Sequence, residues 1–242
     1  MDAVTAGKLI DLNRQFYQTF GGEFSSTRGQ LQPGVQRIVE NLEGSERILD
    51  LGCGNGNLAR KLAALAHRGT YTGLDFSLPL LQAAESDLEN LIATFRQADV
   101  TSTDWDSKLI HSSNDLVVAF AVLHHVPGEE IRLRLLRKVH RMLKPGGRFA
   151  MSNWQFLSSE KLKSRIQGWE KAGLSPVQVD EDDYLLDWRA GGSGLRYVHH
   201  FSEAELRALA AASGFQVTET FYSDGRNRRL GLYQVWEKKS PD

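Results

Sequence analysis

Three aspartates and three glycines carry chemistry that can be read from the chain. In ILDLGCGNGN a short apolar run ends in Asp50, and Gly52, Gly54 and Gly56 follow at alternate positions before a stretch with helical spacing. Glycine permits a tight turn and a close approach of ligand to backbone, and the helix beyond offers unpaired N–H groups in its first turn. A nucleotide-like ligand suits such a loop. Asp75 ends the next apolar run, TYTGLD, 25 residues after Asp50, where a carboxylate can accept both hydroxyl protons of a ribose. Asp99 ends a third run, ATFRQAD. A glycine triplet by itself is also an ordinary turn, so the acids supply its context. Cys53, inside the loop, reads as a small filler rather than a reactive thiol.

These residues need a parallel sheet to bring them together. ERILDLG reads as a strand and NLARKLAALAH as a helix; TYTGLD is a second strand, and SLPLLQAAESDLENL a helix with Ser77 as cap and Pro79 in its first turn. ATFRQAD and the wholly apolar NDLVVAFAVL give strands three and four. EEIRLRLLRKVHRMLKPGG predicts a helix closed by a Pro-Gly-Gly turn, and RFAMSNW a fifth strand. Alternation of this kind implies a parallel sheet covered on both faces, with the three acids on its carboxyl edge, where such folds bind ligands. After Trp154 the rhythm breaks. SSEKLKSRIQGWEKAG predicts a helix, the acidic stretch DEDDYLLDWR follows, and AGGSG and YVHHF complete what reads as an insertion over the sheet. SEAELRALAAASG is a helix capped by Ser202 with Glu205 three positions on, and QVTETFYSD and LGLYQVWEK form a hairpin across GRNRR. Residues 4–20 and 32–43 suggest two further helices ahead of the first strand.

Bulk properties bound the rest. The 242 residues are 41% hydrophobic and 24% charged, as expected of one globular unit. No apolar run approaches the ~20 residues a bilayer span requires, and the N-terminus lacks a secretion signal, so a soluble, cytoplasmic protein without membrane contact is expected. One cysteine excludes an internal disulfide, and the seven scattered histidines lack metal-ligand spacing, so no metal site is expected. A net charge of −1 leaves nucleic-acid binding to local patches. Two exist: Arg132, Arg134, Arg137, Lys138, Arg141, Lys144 and Arg148 along one helix and its exit, and Arg226, Arg228 and Arg229 at the hairpin tip. A solvated helix face explains the first equally well.

The pattern DLGCGNG, GLD, QAD, AVLHH, LKPGG and a terminal hairpin resembles the class I S-adenosylmethionine-dependent methyltransferases over residues 46–238. Dinucleotide dehydrogenases usually carry GxGxxG and lack both the acid ending the first strand and the hairpin. The resemblance implies an α/β fold with a seven-stranded, mostly parallel Rossmann-like sheet, a C-terminal antiparallel hairpin, N-terminal helices and an insertion after the fifth strand. One domain, 1–242, would divide into a helical cap (1–45), a cofactor-binding core (46–154), a substrate-side insertion (155–200) and the last helix with the hairpin (201–238). S-adenosyl-L-methionine is the implied cofactor. Asp50 and the backbone of Gly52 and Gly54 would hold its methionine part, Asp75 its ribose, and Asp99 with Val100 its adenine. Phe76 would lie on the adenine face, and Ala119 and Phe120 at the sulfonium. Methyl transfer is then mostly alignment of a nucleophile, so the substrate has to be read elsewhere.

FSSTR at 24–28, AVLHH at 121–125, DYLLDWR at 183–189 and RYVHHFSEAEL at 196–206 resemble the tRNA wobble-uridine carboxymethyl methyltransferases. That resemblance implies esterification of a carboxymethyl-uridine carboxylate, with tRNA as partner and a small zinc-binding activator subunit as in relatives. A carboxylate is ionised at neutral pH and needs orientation rather than a base. Catalytic roles then fall on His124, His125, Asp183, Trp188 and Arg189, and substrate contacts on Tyr184, Arg196 and Tyr197; the rings of Tyr184, Trp188 and Tyr197 suit a splayed-out base. Arg28 is assigned to the cofactor, with a substrate contact as its alternative. His124 and His125 read equally as the end of a strand, and Trp188 equally as core. Asp187 stands where that family has proline, and Gln-Leu-Gln-Pro-Gly at 30–34 where it has Pro-Trp. An extra negative charge beside an RNA site is unfavourable, so a small-molecule carboxylate, hydroxyl or amine stands as the alternative acceptor.

Overall fold

A computed structural model describes residues 1–26, 30–189 and 192–239 of the chain. Helices α1 (Ala3–Ser26) and α2 (Pro33–Glu40) precede the sheet. Strand β1 (Ile48–Leu51) then alternates with α3 (Asn57–Ala64), β2 (Thr70–Asp75), α4 (Leu78–Ala84), β3 (Ile92–Gln97), β4 (Asn114–Phe120), α5 (Glu129–Met142) and β5 (Leu143–Trp154). After α6 (Glu160–Lys163), β6 (Ile166–Gln167), β7 (Asp183–Trp188) and β8 (Gly194–His199), α7 (Glu203–Ala212) leads into the hairpin β9 (Phe215–Ser223) and β10 (Gly231–Lys238). The seven-stranded sheet has the order β3-β2-β1-β4-β5-β10-β9. Its first five strands pair in parallel, and β10 runs antiparallel to both β5 and β9.

Two-residue alternation decides which layer each strand residue enters. Leu49, Leu51, Val117, Phe149 and Met151 pack with Leu135, Val139 and Leu206, beneath α5 and α7. Ile48, Val118 and Ala150 face the other way, onto Val35, Leu58 and Leu62 of α2 and α3. Burial on both faces is why β1 and β4 read as continuous apolar runs. No helix among the described residues is long and apolar enough to cross a membrane.

Several expected elements take another form. α5 ends at Met142, and the LKPGG segment belongs to the long strand β5, with a register irregularity opposite Asn114 and Leu116. Ser77 stands at the N-cap of α4 but makes no side-chain cap bond; its own N–H is held by Asp75. The 158–173 segment is not one helix. It breaks into α6, the two-residue strand β6 and a 3-10 turn at Trp169–Ala172, because Ile166 and Gln167 pair with Leu186 and Leu185. Within DEDDYLLDWR, Asp183–Trp188 is the central strand of a three-stranded antiparallel sheet, β6-β7-β8. That small sheet packs β8 against α1. The Ser202 cap of α7 forms on one side, with Glu205 N–H donating to its hydroxyl at 3.1 Å, while the Glu205 carboxylate turns to His199 and Arg132.

Candidate active site

The carboxyl ends of the parallel strands open into a cavity of about 350 Å³. Its floor is the glycine loop. Gly52 and Cys53 donate their N–H groups to Leu74 O at 2.7 and 2.9 Å, and Gly54 N–H reaches Asp75 Oδ2 at 2.9 Å. Asp75 Oδ1 takes the Ser77 N–H at 2.9 Å, so one carboxylate locks the loop after β1 to the start of α4. Gly52 has φ 71°, and a Cβ there would lie 2.5 Å from Val122 Cγ2. Gly54 has φ 55°, with nothing within 4 Å of where its Cβ would stand, so its missing side chain is open space on the cavity wall. Asp50 is buried beside this loop and accepts the Tyr71 hydroxyl at 2.6 Å. Burial pushes its pKa up to about 7 against that hydrogen bond, and the neighbouring Asp75 charge adds to the rise. Burial also raises Asp75 itself, despite its N–H donors, and drives the Cys53 thiol far up, which keeps it inert.

Asp99 closes the far end. Its Oδ1 accepts the Thr101 hydroxyl at 2.6 Å and N–H at 2.9 Å, and its Oδ2 pairs with Arg14 of α1 at 2.7 Å. Burial works to raise its pKa, but Thr101 and Arg14 outweigh it and hold the carboxyl below its usual value. Phe76 and Val100 line the cavity as well, with Tyr17 edge-on to Phe76 at 6.2 Å between centroids. Phe120 lines it; Ala119 does not, because the pleat of β4 turns Ala119 into the core under α5.

His124 and His125 both reach the cavity. His124 Nδ1 accepts the Trp154 N–H at 3.3 Å, which puts the neutral ring's proton on Nε2. His125 Nδ1 lies 2.9 Å from Tyr197 O, an acceptor only, so Nδ1 carries the proton and Nε2 accepts the Tyr17 hydroxyl at 2.8 Å. His125 is thereby a strut between α1 and β8. Arg196 lines the cavity at 4% exposure, its guanidinium 4.6 Å from the Trp154 ring centroid and 5.6 Å from that of Trp188. Burial lowers its pKa and the hydroxyl of Tyr17 counters the shift.

The other acceptor-side residues expected from sequence do not meet the cavity. Asp183 and Tyr197 are buried in a separate polar cluster: Asp183 Oδ1 accepts the Tyr197 hydroxyl at 2.6 Å and His199 Nδ1 at 2.7 Å, with Arg132 Nη2 at 3.6 Å. Arg132 Nη2 also donates to the Tyr197 hydroxyl at 2.9 Å. Trp188 is core, edge-on to Phe16 at 5.7 Å, and Tyr184 packs edge-on to Phe156 at 5.2 Å. Arg189 is exposed and pairs with Asp187 at 2.7 Å, so the odd acid of this strand answers the arginine two residues on. Arg28 lies outside the described residues. The basic run along α5 is also used internally: Arg132 is buried in the cluster just described, Arg134 donates to Thr101 O at 2.9 Å, and Lys138 reaches Thr103 O and Asp106.

His199 gives this cluster a pH signature. Burial opposes its charge, but Asp183 and Glu205 (Nε2 to Oε1, 2.9 Å) overcome burial and raise its pKa above the ordinary 6.5. A raised folded pKa contributes stability that is complete below the unfolded value and lost as pH climbs through the folded value. Melting temperature is expected to fall over that climb, and His199→Gln to flatten the fall. Identical pH slopes for both proteins would remove His199 from the explanation.

Sequence reading missed the α1 side of the cavity: Asn13, Arg14 and Tyr17. Asn13 clasps β8, accepting Tyr197 N–H at 2.8 Å and donating to Tyr197 O at 3.1 Å. The hairpin side was missed as well, where Asp224 accepts Gly34 N–H at 3.0 Å and the Tyr233 hydroxyl at 2.5 Å.

A family model described as a methyltransferase domain matches residues 24–220. The chain belongs to the methyltransferase-domain family. A putative methyltransferase of Encephalitozoon cuniculi is 31% identical over 93% of this chain and 94% of its own length. The tRNA (carboxymethyluridine(34)-5-O)-methyltransferase of Arabidopsis thaliana is 30% identical over 73% of this chain, which spans only 38% of that enzyme. Among solved structures, a SAM-dependent methyltransferase of Methanosarcina mazei superposes with a TM-score of 0.68 at 24% identity, covering 88% of this chain and all (100%) of that one. A putative methyltransferase of Haloferax volcanii, in complex with the Trm112 methyltransferase activator, gives 0.68 at 17% identity over 97% and 99% of the two chains. S-adenosyl-L-methionine is the expected cofactor, and the cavity suits it. Asp75, Asp99 and Asp224, with Asp50 titrating at about 7, outnumber the guanidinium groups of Arg14 and Arg196 on the wall, a balance that suits a cationic sulfonium. The open space over Gly54 gives such a ligand direct access to backbone.

Proposed function

We propose that the chain methylates the carboxylate of a carboxymethyl-type modified uridine at the tRNA wobble position. The observation that carries this reading is Arg196, a guanidinium inside the cavity and flanked by Trp154 and Trp188, a setting that draws an anionic acceptor inward. The exposed tip with Arg226, Arg228 and Arg229 lies between the cavity-lining residues Asp224 and Leu230 and supports it, since arginines at the rim suit a phosphate backbone. Likeness to the plant tRNA enzyme points the same way. Such an enzyme would act in the cytoplasm, with a small activator subunit as a partner.

In this reading Asp50 and the Gly52 and Gly54 backbone would hold the cofactor's methionine part, Asp75 its ribose, and Asp99, Val100 and Phe76 its adenine. Bound there, S-adenosyl-L-methionine would supply a methyl group on a sulfonium, transferable to an acceptor oxygen with a thioether as the leaving group. Arg196 orients the acceptor carboxylate. No proton has to be removed from it, which accords with a His125 ring engaged at both nitrogens rather than poised as a base.

The test is transfer of labelled methyl to an anticodon stem-loop carrying carboxymethyl-uridine, with the activator supplied. Label released as methanol by mild alkali is the expected result; an unlabelled RNA overturns the reading. A small-molecule acceptor is the second reading, favoured by the burial of Trp188 and Tyr197, which leaves neither ring on the cavity wall. The 27-O-demethylrifamycin SV methyltransferase of Amycolatopsis mediterranei is 26% identical over 87% of this chain and 74% of its own length.

A further inference from the structure

Asn153 lines the cavity at 1% exposure, and among the described residues neither its amide oxygen nor its amide nitrogen has a hydrogen-bond partner. A buried amide with both groups unmet is unfavourable unless a ligand completes it. The side chain also stands on rigid backbone. It belongs to β5, opposite Leu232 of β10, and its neighbours are pinned: Ser152 accepts the Ala121 N–H at 3.0 Å, and Gln155 N–H donates to Leu230 O at 2.8 Å. Fixed backbone, desolvation and one donor beside one acceptor in a plane describe a preorganised reader for a group with the complementary pair.

We propose that Asn153 reads the imide edge of the acceptor base, its Oδ1 accepting the N3–H and its Nδ2 donating to the O4 carbonyl. This rests on the wobble-uridine reading and sharpens it. O4 is bonded to the carbon next to C5, so a base that enters with its C5 substituent toward the methyl donor carries this edge in with it. Arg196, which lines the same cavity, takes the carboxylate, and Asn153 takes the base. A simple carboxylic acid, alcohol or amine has no imide edge and leaves the amide unmet, so this one residue discriminates between the two acceptor classes.

Cytosine is a poor probe, because an amide can turn over to match its reversed edge. N3-methylated base is a sharp one, since it removes the donor. The experiment uses two anticodon stem-loops, one with carboxymethyl-uridine and one with its N3-methyl counterpart. Binding to the protein holding S-adenosylhomocysteine and methyl transfer are both measured, for the wild type and for Asn153→Leu. Wild type is expected to prefer the unmodified edge by about 100-fold and Asn153→Leu to show no preference, with cofactor affinity unchanged. Asn153→Ala replaces the leucine variant if that one loses the cofactor. Discrimination in binding without turnover upholds the imide reader and overturns the methyl-transfer reading. Turnover of both RNAs alike by wild type overturns the imide reader and leaves methyl transfer standing. A preference that persists in the variants shows that another group reads the edge, and neither discrimination nor turnover sinks both ideas.

Discussion

Asp75→Ala is expected to weaken cofactor binding by more than about 100-fold in titration calorimetry. The effect is large because one carboxylate does three things. It accepts Gly54 N–H and Ser77 N–H, each at 2.9 Å, it lines the cavity, and on the proposed reading it accepts the two ribose hydroxyls there. Alanine leaves two backbone donors unmet, frees the glycine loop from the end of β2 and removes the ribose acceptor. Asp75→Asn retains the shape but can accept with only one of its two terminal atoms, so it should fall between wild type and alanine. An alanine variant that binds within a few-fold of wild type would show that Asp75 is a loop fastener only.

The second large effect is on stability. Asp183→Ala is expected to cost about 3–5 kcal/mol in chemical denaturation, because it strands the buried Arg132 guanidinium and the Tyr197 hydroxyl. Cofactor affinity of the folded fraction should stay within a few-fold. Arg189→Ala, six residues on and exposed, should change stability by less than about 0.5 kcal/mol. A residue acting on the reacting atoms would give the reverse pattern, with turnover lost and stability kept, and that outcome would return Asp183 to the active site.

The contrast between these two aspartates explains what was legible in the sequence. Asp75 belongs to a strand, turn and helix in direct succession, so its role follows from neighbours along the chain. Asp183 is defined by Arg132, Tyr197 and His199, which come from α5 and β8 and meet it only in three dimensions. The insertion was misread for a related reason. SSEKLKSRIQG has helical composition, but two of its residues complete a sheet with β7, and that distant pairing outweighs local propensity. Asn13, Arg14 and Tyr17 look from sequence like the wet face of a helix, because nothing nearby announces that β8 and Asp99 will cover them. Arg132 and Lys138 carry the same lesson, as charges on a helix that are buried against internal partners. Asn153 did leave a trace, an amide following Phe149, Ala150 and Met151 near the end of β5.

Consider finally the single turn of α1 that holds Asn13, Arg14 and Tyr17. Asn13 is fastened to the small sheet, Arg14 to the acid at the end of β3, and Tyr17 to His125. On the proposed reading, this one turn stands between the adenine end of the cavity at Asp99 and the stretch of β8 that carries Arg196. Lifting that turn would unlatch Asp99 and free the β8 backbone beside Arg196 together, so on that reading departure of the spent cofactor and release of the methylated product should register as one event in time, and slow opening of this turn would set the pace of the whole cycle.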